Sequence, residues 1–111
     1  MRIKICKTSD LNNNKSIRFV IPGERFDRDG VLIKNNNEIF AYYNECPHIG
    51  VTLDFDDNDF FSLDFTKLVC KNHGAEFTPD SGECTLGPCV GTFLRKINVV
   101  IEEETIFAKI D

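Results

Sequence analysis

Histidine is scarce in this chain, with two copies among 111 residues. No apolar run reaches the roughly 20 residues that a bilayer span needs, and the N-terminus lacks the apolar core of a secretion signal. Basic residues are outnumbered, 13 Lys and Arg against 18 Asp and Glu, and the net charge of −5 argues against a nucleic-acid partner. Internal repeats and low-complexity linkers are missing, apart from two asparagine clusters, Asn12–Asn14 and Asn35–Asn37, which read as loops. At this length there is room for one core of modest size and no second domain. The 41% hydrophobic content is enough for that core to fold. Five cysteines, an odd number without a signal peptide, point to reduced thiols in a reducing compartment.

Short strands punctuated by turns account for most of the chain. Residues Arg2–Cys6 alternate, with Ile3 and Ile5 on one face. Val31–Lys34 and Glu38–Tyr43 are strand-like runs joined by Asn35-Asn36-Asn37, residues that tolerate left-handed backbone angles and suit a hairpin. Lys96–Ile101 and Thr105–Ile110 form a second such pair across Glu102-Glu103-Glu104. The expected architecture is all-β: an antiparallel sandwich or barrel from residues 1–43 and 96–111, with a smaller lobe, 44–95, inserted into it as part of one domain. Within the lobe, Val69-Cys70 should end one strand and Ala75–Thr78 begin the next, with a tight turn helped by Gly74.

Both histidines stand beside a cysteine at metal-ligand spacing. The segments are Cys46-Pro47-His48 and Cys70-Lys71-Asn72-His73, with 21 residues between His48 and Cys70. Two thiolates and two imidazoles on two short hooks make a four-ligand site. Zinc accepts this donor set, but zinc fingers usually present a cysteine pair followed by a histidine pair, and the single residue inside the first hook is short for zinc. A [2Fe–2S] cluster of the Rieske kind takes two Cys on one iron and two His on the other, which a mixed hook on each loop supplies.

The arrangement resembles the signature of Rieske [2Fe–2S] proteins. Beyond the ligands, Gly50 follows His48 by two, Gly74 follows His73 directly, and Ser81-Gly82-Glu83-Cys84 with Gly87-Pro88 is similar to the stretch leading into the family's proline loop. The matching block runs from about Asn44 to Arg95, roughly half the chain, with an insertion around Asp54–Asp64. The resemblance implies that Cys46 and Cys70 hold one iron, that His48 and His73 hold the other near the surface, and that the Pro88 loop covers the cluster. High-potential members carry an extra cysteine in each ligand loop, and the matching positions here are Val51 and Asn72, so that bridge is excluded. Those members also place a hydroxyl and a tyrosine where this chain has Ala75 and Phe77. Hydrogen bonds to the sulfurs raise the potential, so a low-potential ferredoxin is expected. Respiratory Rieske subunits carry an N-terminal anchor, which this sequence lacks, so a soluble cytoplasmic role is expected.

The implied function is single-electron transfer between a reductase, flavin-dependent for instance, and an acceptor such as an oxygenase, by a monomer. An oxygenase site of its own would need two further histidines for a mononuclear iron, and none is left after cluster ligation. Two alternatives stand beside it: a small electron-relay subunit of a larger reductase, and a zinc-stabilised Cys2His2 binding module. Of the remaining cysteines, Cys6 reads as core. Cys84 and Cys89 are close enough in sequence to bridge, although free cysteine's preference for burial favours two packed thiols. Five aspartates, Asp54, Asp56, Asp57, Asp59 and Asp64, fall in the insertion. They read as a solvated acidic loop, or as a patch that steers a basic partner, with Phe55, Phe60, Phe61 and Phe65 anchoring the loop onto the lobe.

Overall fold

The computed structural model describes residues 1–47, 52–54, 59–72 and 74–110. Its strands are β1 (Arg2–Lys7), β2 (Lys15–Ile21), β3 (Arg28–Asn35), β4 (Glu38–Tyr43), β5 (Leu68–Cys70), β6 (Ala75–Phe77), β7 (Cys84–Leu86), β8 (Lys96–Glu102) and β9 (Thr105–Lys109), with one 3-10 turn at Thr8–Asp10. Six of them form an antiparallel, nearly closed barrel-like sheet in the order β1-β9-β8-β4-β3-β2; the other three form a small sheet, β5-β6-β7. The architecture is all-β, as the sequence leads one to expect.

Two tight hairpins set the register of the large sheet. Asn35 pairs with Glu38, leaving Asn36 and Asn37 as a two-residue loop with φ of 51° and 61°. Positive φ at both central residues is what a two-residue hairpin turn matched to strand twist requires, and asparagine accepts it readily. The same geometry recurs between β8 and β9, where Glu102 pairs with Thr105 and the loop residues Glu103 and Glu104 have φ of 49° and 65°. β1 carries a bulge between Lys4 and Cys6, so Ile3, Ile5 and the half-buried Cys6 all pack against the barrel interior. Burial and then the Asp10 charge push the Cys6 thiol up.

β2 is not among the strands expected from the sequence. It pairs with β3 along its whole length, from Lys15 with Lys34 to Ile21 with Arg28. Ile17, Phe19 and Ile21 point inward, and Val20 on the other face is exposed.

β3 and β4 are buried on both faces. Leu32, Ala41 and Tyr43 join Phe19, Ile97, Ile106 and Ala108 in the core under the barrel. Their neighbours Val31, Ile33 and Tyr42 face the other way, into a second core with Leu53, Phe60, Leu68, Phe77 and Leu94. Successive residues of a strand alternate faces, so the near-continuous apolar runs Val31–Ile33 and Ala41–Tyr43 mark strands covered on both sides. The second core is where the hooks lie.

Candidate metal centre

The first hook leaves the end of β4 and is closed at its base by one buried amide. Asn44 is 1% exposed. Its side-chain oxygen accepts from the Leu53 N–H at 2.8 Å, its side-chain nitrogen donates to Asp54 at 3.2 Å, and its backbone N–H donates to the Asp29 carbonyl at 2.8 Å. Arg18 donates to Asp54 at 3.5 Å and to Asp29 at 2.6 Å. A carboxylate as buried as that of Asp54 is tolerable only when paired and hydrogen-bonded, and Arg18 and Asn44 supply that. The segment carrying Cys46 therefore starts and ends at fixed points on the barrel wall.

The second hook is the turn between β5 and β6, in which Cys70 pairs with Ala75 and the Gly74 N–H donates to the Cys70 carbonyl at 2.8 Å. Gly74 has φ of 71°, a conformation that favours glycine. Two hydrogen bonds tie this turn to the closing end of the first: Lys71 N–H to the Leu53 carbonyl at 2.8 Å, and the Asn72 side-chain nitrogen to the Thr52 carbonyl at 3.0 Å. The Lys71 ammonium also reaches Asp59 at 3.2 Å.

Cys46 and Cys70 are both buried, and they belong to the same core cluster. All five cysteines are thiols rather than disulfides. Glu45, directly before Cys46, is paired with Arg28 at 2.6 Å. The Arg28 and Arg95 guanidiniums lie over the Tyr43 ring, at 4.2 and 4.6 Å from its centroid. At this partly exposed rim such contacts fix geometry more than they add stability.

The Gly87-Pro88 loop sits close to the second hook. A Cβ on Gly87, which has φ of 104°, would stand 2.8 Å from the Ala75 Cα, so the backbone approaches the start of β6 as only glycine allows. Farther along, Tyr42 links lobe to barrel: its hydroxyl, in a fully buried side chain, donates to the Pro79 carbonyl at 2.7 Å. Burial, and then the Asp80 charge, push the Tyr42 phenol far above its ordinary value.

His48 and His73 lie outside the described residues, as do Gly50, Val51, Phe55, Asp56 and Asp57. Among the described residues no three His, Cys, Asp or Glu side chains converge on one point. The remaining aspartates of the insertion are not a uniformly solvated loop. Asp54 is the buried ion-pair partner just described, and Asp59 pairs with Lys71. Asp64 accepts from the Ser62 hydroxyl and from the Thr66 hydroxyl and N–H, which hold its carboxyl below the usual range. Phe60 and Phe61 are buried anchors, as expected, whereas Phe65 is 45% exposed and leans edge-on against Phe61. Neither the structural role of Asn44 nor its pairing with Asp54 shows in the sequence, where the one signal is a polar residue directly after an apolar strand.

The profile of the Rieske [2Fe-2S] domain family matches residues 1–101. A comparison with curated protein sequences returns no match. Among solved structures, the chain is similar to the ferredoxin of carbazole 1,9a-dioxygenase from Nocardioides aromaticivorans IC177, with 20% identity and a TM-score of 0.78 over 100% of this chain and 99% of that one. The Sphingomonas yanoikuyae B1 ferredoxin superposes with a TM-score of 0.73 at 18% identity, covering 100% of both chains. The terminal oxygenase of carbazole 1,9a-dioxygenase from Novosphingobium sp. KA1 also matches, at 17% identity and a TM-score of 0.79, over 98% of this chain and 29% of the oxygenase.

Proposed function

Because this chain belongs to the Rieske [2Fe-2S] domain family, whose cofactor is a Rieske-type [2Fe–2S] cluster, we propose that it carries single electrons between a reductase and an acceptor such as an oxygenase. Cys46 and Cys70 would hold one iron of the cluster, and His48 and His73 the other. The observation that carries the assignment is that Cys46 and Cys70, the two hook cysteines, lie buried in one core as thiols, on loops joined by the Lys71–Leu53 and Asn72–Thr52 hydrogen bonds. That donor chemistry fits the cluster: two soft sulfur ligands inside an apolar pocket, with two imidazoles available on the same hooks.

When bound, the cluster takes up and releases one electron at a time. The rest is done by the chain. Leu53, Phe60, Leu68 and Phe77 share one buried apolar core with the two cysteines and exclude water from it. Asn44 and Asn72 fix where the hooks start and how far apart they stand. Catalysis lies in a partner, since no histidine remains to build a mononuclear iron site. In this reading residues 1–43 and 96–111 are the base, and residues 44–95 the cluster-binding lobe, of one cytoplasmic, monomeric domain.

A second reading, a relay subunit seated in a larger reductase, is favoured by three large apolar side chains left exposed along one short stretch: Leu86, Val90 and Phe93 at 56%, 61% and 56%. Copurification with a partner, against a monomeric gel-filtration profile, separates the two.

Absorption and EPR spectra of anaerobically purified protein, before and after dithionite, with iron and zinc counted, test the proposal. Two irons per chain and a Rieske-type signal on reduction are expected. A colourless protein with one zinc, which also fails reconstitution with iron and sulfide, overturns it.

A further inference from the structure

Two buried cysteines that are not among the four candidate ligands face one another, in the same core cluster as Cys46 and Cys70. Cys84 opens β7 and Cys89 follows Pro88, and they are 1% and 5% exposed. Their sulfurs are 3.0 Å apart. The Cys84 thiol donates to the Leu86 carbonyl at 3.4 Å, which leaves its sulfur as acceptor for the Cys89 thiol. A disulfide needs about 2.05 Å, so roughly 1 Å of closure separates this pair from a bond. The backbone on both sides is already held. Phe77 pairs with Cys84 across the sheet, the Cys84 N–H donates to the Thr92 carbonyl at 2.9 Å, and the Thr92 N–H donates to the Cys89 carbonyl at 3.0 Å. The Thr92 hydroxyl adds a bond to the Cys89 carbonyl at 2.6 Å. Thiols fixed this near one another react as an intramolecular pair.

We propose that Cys84 and Cys89 form a reversible disulfide, a two-electron thiol switch separate from the one-electron centre, with a low-molecular-weight disulfide of the glutathione class as oxidant. Cys89, the nearer to the surface, attacks the glutathione disulfide as thiolate, forming a mixed disulfide and releasing one glutathione. The Cys84 thiolate then attacks the Cys89 sulfur, and the second glutathione leaves. In each exchange one S–S bond breaks and one forms; the two protons of the protein thiols end on the two released glutathiones. Desolvation, then the Cys84 contact, push the Cys89 thiol up, which lowers its thiolate fraction and slows its attack. Once closed, the bond straps the 87–92 loop, which packs on Ala75, to β7.

The sequence makes the test direct. Trypsin cuts after Lys71 and Arg95 and nowhere between, so peptide Asn72–Arg95 contains Cys84 and Cys89 and no other cysteine. Cluster-loaded full-length protein is equilibrated anaerobically in glutathione and glutathione disulfide mixtures, acid-quenched, alkylated in denaturant and digested. With rising glutathione disulfide, the peptide should pass from two alkyl adducts to none with two hydrogens fewer. The intramolecular form should exceed the glutathione adduct at least about tenfold, and dithiothreitol should reverse it. Two alkylatable thiols persisting in excess glutathione disulfide, or glutathione adducts as the main product, overturn the proposal. The peptide readout does not depend on the iron count, so this inference and the electron-carrier reading fail independently.

Discussion

The side-chain nitrogen of Asn72 donates to the Thr52 carbonyl at 3.0 Å, joining the two hooks where the resemblance places a disulfide in high-potential Rieske proteins. Asn72 occupies one of the two bridging positions, and Thr52 directly follows the other, Val51. A disulfide stabilises by about 2–4 kcal/mol, whereas a hydrogen bond exchanged with water contributes about 0.5–1.5 kcal/mol. The hooks of this chain are therefore held by reversible contacts.

Replacing Asn72 with Leu removes the side-chain half of that tie. We expect a loss of about 1 kcal/mol in urea unfolding and faster bleaching of the loaded protein by an iron chelator. A bleaching rate equal to wild type would show that the Thr52 bond does not hold the hooks.

Asn44→Ala strikes the base of the first hook. The buried Leu53 N–H loses its acceptor and Asp54 loses a donor, a change of about 1–3 kcal/mol. Arg18 still reaches Asp54, so the fold should persist while iron retention falls. Denaturant titration and iron content per chain measure the two effects separately.

Tyr42 gives an alkaline prediction. Its folded-state value lies well above the ordinary value of about 10, so the folded protein binds that proton more tightly than the unfolded chain. The contribution to stability is fully present below about pH 10 and is lost as pH rises through the folded-state value. Tyr42→Phe should flatten that limb of the stability curve. At neutral pH it should cost about 1–3 kcal/mol, because the buried Pro79 carbonyl loses its donor. Denaturation series from neutral to alkaline pH on both proteins make the comparison.

The β8–β9 turn can be improved. Glu103 and Glu104 both hold left-handed backbone angles, which glutamate adopts poorly and Asn-Gly adopts readily. The double change Glu103→Asn, Glu104→Gly should raise stability by about 1 kcal/mol, read as a higher Tm; a lower Tm would contradict the turn assignment.

Under the proposed function, the cluster's midpoint potential should sit toward the low end of the Rieske range of about −150 to +300 mV. Ala75 and Phe77, both buried, offer no hydroxyl to a sulfur. A potentiometric titration with a midpoint well above zero would refute this, and Ala75→Ser should shift the value upward.

What could be read from the residues follows from how local each feature is. The family is legible because the Cys-x-His and Cys-x-x-His spacings are covalent, and the Asn36-Asn37 turn because asparagine's backbone preference is its own. β2 is harder: Lys15, Ser16 and Arg18 interrupt its opening, and exposed Val20 blurs the alternation of Ile17, Phe19 and Ile21. Asp54 reads like its acidic neighbours, because its burial depends on Arg18, 36 residues away, and on Asn44. Long-range pairing of polar groups leaves no periodic trace in a sequence.

β3 and β4 present one set of side chains to the barrel and the other to the lobe, and that has an evolutionary corollary. The two halves share a party wall, so neither can be remodelled there without the other registering the change. A change selected for one half at Val31–Ile33 or Ala41–Tyr43 is therefore also a change to the other, and the two halves must evolve as one unit.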